Sequence, residues 1–393
     1  MTGDETDAAG RGQGARIHIV RFAPAKVNLT LAVTGRRDDG YHSLHSVMVP
    51  LQLGDALTVS LAPRSAASDF LTVSGLAVSA AGDNLVLRAI AATRAALAAR
   101  QPGSGSVPPL AVRLVKRIPV AAGLGGGSSD AAAAIEAALA AWQQALDASD
   151  KAAVAASLGS DVPFFLAQSN ALIAGRGEFV EPLPAIAGDS PALLLVTPGV
   201  PVSTPLVFGA FADGARAADP GRAREVSERL ATAFRAGLTV TGLMSRAQDL
   251  AAANDLLPAA LAMTPELEEF TRRLEKLVGR PVCQSGSGPT QWVLYSTLAE
   301  ARKAVRMVRL GIARGNLPAL GEGETFVAAT EIAGPASAPT RDRVRWEDRP
   351  DGDAVHRGRA IRPHSVHNTA NAYADPTSGL GDKLGQPQGD EAR

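Results

Sequence analysis

The chain lacks most of what would mark a metal, disulfide or nucleic-acid protein. A single cysteine, Cys283, among 393 residues rules out a disulfide within the chain and a cysteine-based zinc site. Of six histidines, His18, His42 and His45 stand without ligand spacing, and His356, His364 and His367 fall in a polar C-terminal stretch. Basic and acidic residues balance at 39 each, so no excess charge is available to hold a nucleic acid or an anionic membrane surface. No long apolar run occurs either. The longest alanine-rich stretch, residues 131–141, is too short to span a bilayer and carries Glu136. Residues 1–14 are polar and glycine-rich without the apolar segment of a signal peptide. What remains is a chain with 46% hydrophobic residues, enough for a substantial core, and the expectation of a cytoplasmic protein without membrane or nucleic-acid partners.

The apolar periodicity divides the chain. Residues 1–15 read as a flexible leader. In Val27-Asn28-Leu29-Thr30-Leu31-Ala32-Val33-Thr34 the alternation is that of a half-buried strand, with Lys26, Asn28 and Thr30 on the face opposite Val27, Leu29 and Leu31. Short strands are expected at 46–53, 56–61 and 111–116, and a helix over 85–99 capped by Asp83-Asn84. A second helix is expected over 130–146, with strands at 170–174 and 192–196 after it. The polar connector 213–224 marks a boundary between an N-terminal unit, 16–212, and a C-terminal unit, 213–333. In the second unit a helix starts at Thr264-Pro265-Glu266 and ends near Gly279, followed by strand 291–296, helix 298–310 and strand 325–332. The fold class is α+β in two domains. From 334 to 393 apolar periodicity ends and the composition reads as a disordered tail.

The most informative segment is Pro119-Val120-Ala121-Ala122-Gly123-Leu124-Gly125-Gly126-Gly127-Ser128-Ser129-Asp130, which runs directly into a helix. Glycines let a backbone approach a ligand, and the free N–H groups of a helix start favour phosphate. No lysine follows the glycines, which excludes a Walker-type loop, and Ser128 stands where a dinucleotide fingerprint needs its third glycine. Ser128, Ser129, Ser285 and Ser287 also fail the esterase elbow pattern. Read alone, the segment is an anion site at a helix N-terminus.

In this sequence the segment resembles the nucleotide-binding motif of the GHMP kinase family. Four further blocks carry the likeness in order: Pro24-Ala25-Lys26-Val27-Asn28-Leu29, Asp39-Gly40-Tyr41-His42, Gly159-Ser160-Asp161-Val162-Pro163-Phe164-Phe165, and Gln284-Ser285-Gly286-Ser287-Gly288. Together they span residues 17–332. The resemblance implies a ribosomal protein S5-like N-terminal domain, a ferredoxin-like C-terminal domain, and ATP on the glycine loop with Mg²⁺ accompanying it. It also implies a substrate cleft between the domains. The blocks fit most closely the branch whose acceptor is a cytidyl diphosphate sugar alcohol. Kinases for homoserine, mevalonate or a sugar, and a non-catalytic ligand-binding member, are the alternatives. A monomer or weak homodimer is expected.

Asp161, which composition alone reads as a turn or helix-cap residue, matches the family's proposed catalytic base. Lys26, otherwise a solvated strand-edge charge, would stand beside it and orient the substrate hydroxyl. Asn28 shares that strand face and would touch the substrate. Tyr41 and His42 match positions that hold a cytosine, one by stacking and one by hydrogen bonding. Thr204 and Phe208 resemble further substrate positions of the family, with Phe208 equally readable as an ordinary packed helix residue. Asn84 and Lys116 match positions near the adenine and ribose. Pro119, Gly123, Leu124, Gly125, Gly126, Gly127, Ser128 and Ser129 would wrap the phosphates. The metal ligands are not specified by the sequence.

Overall fold

The computed structural model describes residues 18–76, 84–100 and 106–334. The leader 1–15, Asp83 and residues 335–393 lie outside the described residues. In chain order the elements begin β1 (Ile19–Asn28), β2 (Ala32–Arg36), β3 (His42–Leu61), β4 (Phe70–Gly75), α1 (Leu85–Arg100) and β5 (Leu110–Lys116). Next come α2 (Gly126–Trp142), α3 (Ala148–Leu158), α4 (Val162–Ala167), β6 (Asn170–Gly175) and β7 (Phe179–Leu183). The rest are β8 (Ala192–Thr197), α5 (Thr204–Ala212), α6 (Arg222–Arg235), α7 (Val240–Met244), α8 (Ala247–Ala251), α9 (Leu257–Met263), α10 (Glu266–Val278), β9 (Cys283–Gln284), β10 (Gln291–Tyr295), α11 (Leu298–Ala313) and β11 (Phe326–Glu331).

The first sheet has seven strands organised on β3, a 20-residue strand that pairs with β1, β2, β5 and β6. Two strands expected at 46–53 and 56–61 are therefore one. Gly54 permits the continuity, because a Cβ there would lie 2.4 Å from the Phe22 ring and 2.6 Å from the Ala23 carbonyl. The strand expected to run from Val27 through Thr34 is instead broken at 29–31. There Leu31 pairs in parallel with Asn254, through the Leu31 N–H to Ala253 O and the Asp255 N–H to Leu31 O.

The second sheet is antiparallel in the order β11-β8-β10-β9. In chain order its strands lie 4-1-3-2, the split βαβ arrangement of ferredoxin-like folds. The expected boundary at 213 lies after β8 in the chain. Strand β8, which that boundary assigns to the N-terminal unit, is hydrogen-bonded to β10 and β11, so the chain crosses between sheets within 184–191. A fully buried strand with no alternation, Ala-Leu-Leu-Leu-Val-Thr, gave no sign of which sheet it would join. The sheets also touch directly, through Leu51 paired with Ile332 and the Ala333 N–H donating to Pro50 O.

The layers follow from the apolar faces. Helices α1 to α4 cover one face of the first sheet, packing Ile90, Ile135 and Phe164 against Leu57, Val59 and Leu114. The alanine run of α2 is what lets that helix lie close to β1, β3, α1 and α4 at once. On the other face, Ala25, Val27, Leu29, Val47 and Val49 meet Leu193, Leu195, Trp292 and Leu294 of the second sheet, with α6 wedged among them. Helices α5, α9, α10 and α11 close the far face of the second sheet. No helix among the described residues is long and apolar enough to cross a membrane. Phe234 of α6 is fully buried in the central layer. Its truncation in Phe234→Ala is expected to cost about 3–5 kcal/mol of unfolding free energy in urea titration. A loss under about 1 kcal/mol would mean that the layer between the sheets is not a packed core.

Candidate active site

Pro24 of the first block and Pro50 of β3 shape the site. Pro24 and Pro50 lack N–H donors, and the β1–β3 register slips between Pro24 and Lys26. Past this bulge the Lys26 N–H donates to Leu124 O at 2.9 Å, tying the strand to the glycine loop. The Lys26 side chain is buried, and its Nζ donates to Asn28 Oδ1 at 2.7 Å and lies 3.4 Å from Asp161 Oδ2. Asn28 Nδ2 in turn donates to Ser46 Oγ at 2.8 Å. Asp161 occupies the N-cap position of α4, but its side chain caps nothing and is 30% exposed. Its carboxylate points at Lys26 and the open cleft rather than satisfying its own helix.

The glycine loop runs into α2 without a side-chain cap, with Gly125 left-handed at the N-cap and Gly126 to Ser129 forming the first turn. The helix thus begins four residues before the expected start, so the glycines supply its free amides. Two glycines are required by geometry. Gly123 has φ +75° and a Cβ there would fall 2.3 Å from Ser285 O; Gly125 has φ +69° and a Cβ there would fall 3.0 Å from Lys26 Cγ. Ser285 Oγ donates to Gly123 O at 2.9 Å, which locks the third glycine block onto the loop. Asn254 Nδ2 holds that block from behind through Gln284 O and Gly286 O, at 3.1 and 2.9 Å.

These elements surround one cleft of about 1470 Å³. Single small-molecule pockets run roughly 300–1,000 Å³, so the cleft has room for two ligands. Lys26, Asn28 and Asp161 line its middle. Tyr41, His42, Thr204 and Phe208 line one end, and Asn84, Lys116, Pro119 and Gly123 with Gly125–Ser128 line the other. At the first end His42 stacks on Phe208 with ring centroids 5.2 Å apart, so that face of Phe208 is already covered by the imidazole. Burial, then the charges of Arg36 and Arg216, push the His42 pKa down, which leaves a neutral ring able to donate and accept. Thr204 Oγ1 and Ser287 Oγ lie 2.8 Å apart, linking α5 to the third glycine block. Asn84 caps α1, its Oδ1 accepting from the Val86 N–H at 2.9 Å.

Three of the expected nucleotide residues are placed in particular ways. Leu124 does not line the cleft: its side chain is buried between the sheets, and only its carbonyl serves, as the acceptor for Lys26. Ser129 is turned away from the cleft into a second cavity of about 410 Å³, because a helical step of about 100° separates it from Ser128. Lys116 does line the cleft, but its buried ammonium is held between Asp55 Oδ2 and Asp130 Oδ2, the latter at 2.7 Å. It therefore braces the loop from below. Asp55 also accepts from the Arg117 and Ile118 N–H groups, fixing the turn that leads into the loop. Sequence reading missed Asp55, Asn254, Arg36 and Arg176. Asp130, at the end of the glycine motif, was the available signal for a charge partner to Lys116.

Known proteins match much of this chain. The GHMP kinases N terminal domain matches residues 84–169. A 4-diphosphocytidyl-2-C-methyl-D-erythritol kinase from Mesorhizobium japonicum is 38% identical over 287 residues, covering 73% of this chain and 90% of the relative. One from Paramagnetospirillum magneticum is 41% identical over 288 residues, covering 72% and 90%. A crystal structure of 4-(cytidine 5'-diphospho)-2C-methyl-D-erythritol kinase superposes with a TM-score of 0.56 at 33% identity, covering 80% of this chain and all of that one. A homoserine kinase from Cytophaga hutchinsonii superposes at 0.55 with 15% identity, a likeness of fold alone.

The Asp55–Lys116–Asp130 cluster has two carboxylates for one ammonium. Burial foremost, and the Asp55 charge, raise the Asp130 pKa to about 7 against the pull of Lys116. The folded chain therefore holds a proton that the unfolded chain releases near its ordinary 3.8, so stability falls as pH rises between those values. Asp130→Asn is expected to remove that decline when unfolding free energy is followed from pH 4 to 8. Parallel pH profiles for the two proteins would contradict the cluster's assigned charge state.

Proposed function

The chain belongs to the family of 4-diphosphocytidyl-2-C-methyl-D-erythritol kinases, and on that premise we propose the chemistry that its cleft performs. It is an ATP-dependent kinase of isoprenoid precursor synthesis by the methylerythritol phosphate route. The γ-phosphoryl of ATP passes to the 2-hydroxyl of 4-diphosphocytidyl-2-C-methyl-D-erythritol. The observation that carries the reading is the Lys26–Asp161 pair at 3.4 Å, set between the α2 N-terminus and the Tyr41–His42 end of one cleft.

The residues divide the work as phosphoryl transfer requires. The Asp161 carboxylate accepts the hydroxyl proton as the acceptor oxygen bonds to the γ-phosphorus. The bond from that phosphorus to the β–γ bridging oxygen breaks, and ADP leaves. Lys26 and Asn28 orient the attacking hydroxyl. The free amides of the α2 first turn, from Gly126 to Ser128, take the phosphates, and the Gly286–Ser287 backbone closes on the transferring group from the other side. Tyr41 offers its ring to the cytosine, and the neutral His42 matches a base edge that carries both a donor and acceptors.

Mg²⁺ enters this reading with the ATP. Among the described residues no group of three or more His, Cys, Asp or Glu could hold a metal ion. That suits an ion carried chiefly by phosphate oxygens, which needs few protein ligands. The Ser128 hydroxyl, at the start of α2, is a hard oxygen donor in the cleft that would fit it. The ion would neutralise charge on the β- and γ-phosphates. The reading extends to a cytoplasmic enzyme working as a monomer or weak homodimer.

An acceptor panel tests the assignment. With Mg-ATP and ADP release as readout, the cytidyl acceptor is expected to support turnover while homoserine, mevalonate and galactose do not. Turnover of one of those three without turnover of the cytidyl compound would overturn the specificity.

A further inference from the structure

The cleft contains four cationic side chains, and two of them are already neutralised. Lys26 is engaged by Asp161 and Asn28, and Lys116 by Asp55 and Asp130. Arg36 and Arg176 line the Tyr41–His42 end, and neither forms an ion pair among the described residues. Arg176 is built in from several sides. It stands on the Gly175-Arg176-Gly177 turn after β6, and its own N–H donates to Glu178 Oε2 at 2.6 Å. Gly177 has φ +127° and presses on the segment that carries the base: a Cβ there would lie 2.1 Å from Ser160 O. The Arg176 Nη2 donates to Ala156 O at 3.3 Å, and its guanidinium carbon lies 5.0 Å from the Tyr41 ring centroid. The guanidinium thus bridges the aromatic end of the cleft and the 156–161 segment, using one of its five N–H donors in a hydrogen bond among the described residues.

We propose that Arg176 forms the subsite for the acceptor's diphosphate. The inference rests on the function proposed above. That acceptor has a base at one end, the reacting hydroxyl at the other and a diphosphate between. With the base at Tyr41–His42 and the hydroxyl at Asp161, the diphosphate crosses the ground that Arg176 spans. A planar guanidinium offers paired donors to phosphate oxygens and stays charged at every working pH.

Comparison of two ligands separates this role from a purely structural one. Dissociation constants of CDP and cytidine are measured by calorimetry for the wild type, Arg176→Ala and Arg176→Lys, alongside the KM for Mg-ATP. A charge-assisted contact of ordinary strength gives CDP an advantage over cytidine on the order of 10–100-fold in the wild type. Arg176→Ala should cut that advantage by about tenfold, leave cytidine binding within about threefold and leave the KM for Mg-ATP unchanged. If the alanine form does not fold, Arg176→Lys serves in its place, keeping the charge but losing the fork, with a smaller cut of the same sign. Equal weakening of CDP and cytidine would make Arg176 a mere support for Tyr41 and overturn the assignment. So would an undiminished CDP advantage. Failure of the wild type to bind either ligand would instead remove the cytidyl reading itself.

Discussion

The contact between the Lys26 ammonium and the Asp161 carboxylate organises the rest of the molecule. It joins the C-terminal end of β1 to the N-terminal end of a short helix, and everything around it fixes its position. The proline-induced bulge turns the Lys26 amide onto the glycine loop. Gly125 lets the loop lie against the lysine stem, and Gly123 lets the third glycine block lie against the loop. Each close approach depends on the one before it. Among the described residues, the pair is the only place in the cleft where a buried cation meets a carboxylate that remains partly open to a ligand.

Charge is distributed through the cleft in three different ways. At the nucleotide end Lys116 is sealed under the loop by two carboxylates, a buried arrangement whose value is positional, since a charge removed from water gains little net stability from its partner. In the middle, Lys26 is matched one-to-one. At the acceptor end the arginines keep their charge available. A chain with no net charge thus still presents cations where phosphates pass.

Much of this was legible in the sequence, and the exceptions have physical causes. The glycine motif was readable because positive φ and free amides demand specific residues, and the helix cap signals at Pro265 and Gly279 were readable for the same reason. Lys26 and Asp161 lie 135 positions apart, and only the resemblance of their surrounding blocks connected them. Ser129 follows Ser128 in sequence, but a helical step turns its side chain toward a different cavity. Nothing local to Lys116 reveals that Asp55, from the middle of a long strand, folds beneath it. Strand β8 has no alternation to show its partners, so its membership of the second sheet came only from tertiary pairing. Arg176 looks like an ordinary turn cation until the turn is found pressed against the segment before Asp161.

The most direct measurement of the central claim is single-turnover phosphorylation of the cytidyl acceptor by Asp161→Asn beside the wild type, with thermal unfolding of both. The substitution keeps the shape of a side chain that caps no helix and is partly exposed. A group that accepts a proton in the transition state contributes about 10²–10⁴-fold to rate. The account therefore predicts a loss of that size in the chemical step with little change in melting temperature. Near-normal turnover in the variant would show that the proton goes elsewhere and that the Lys26–Asp161 contact is only structural.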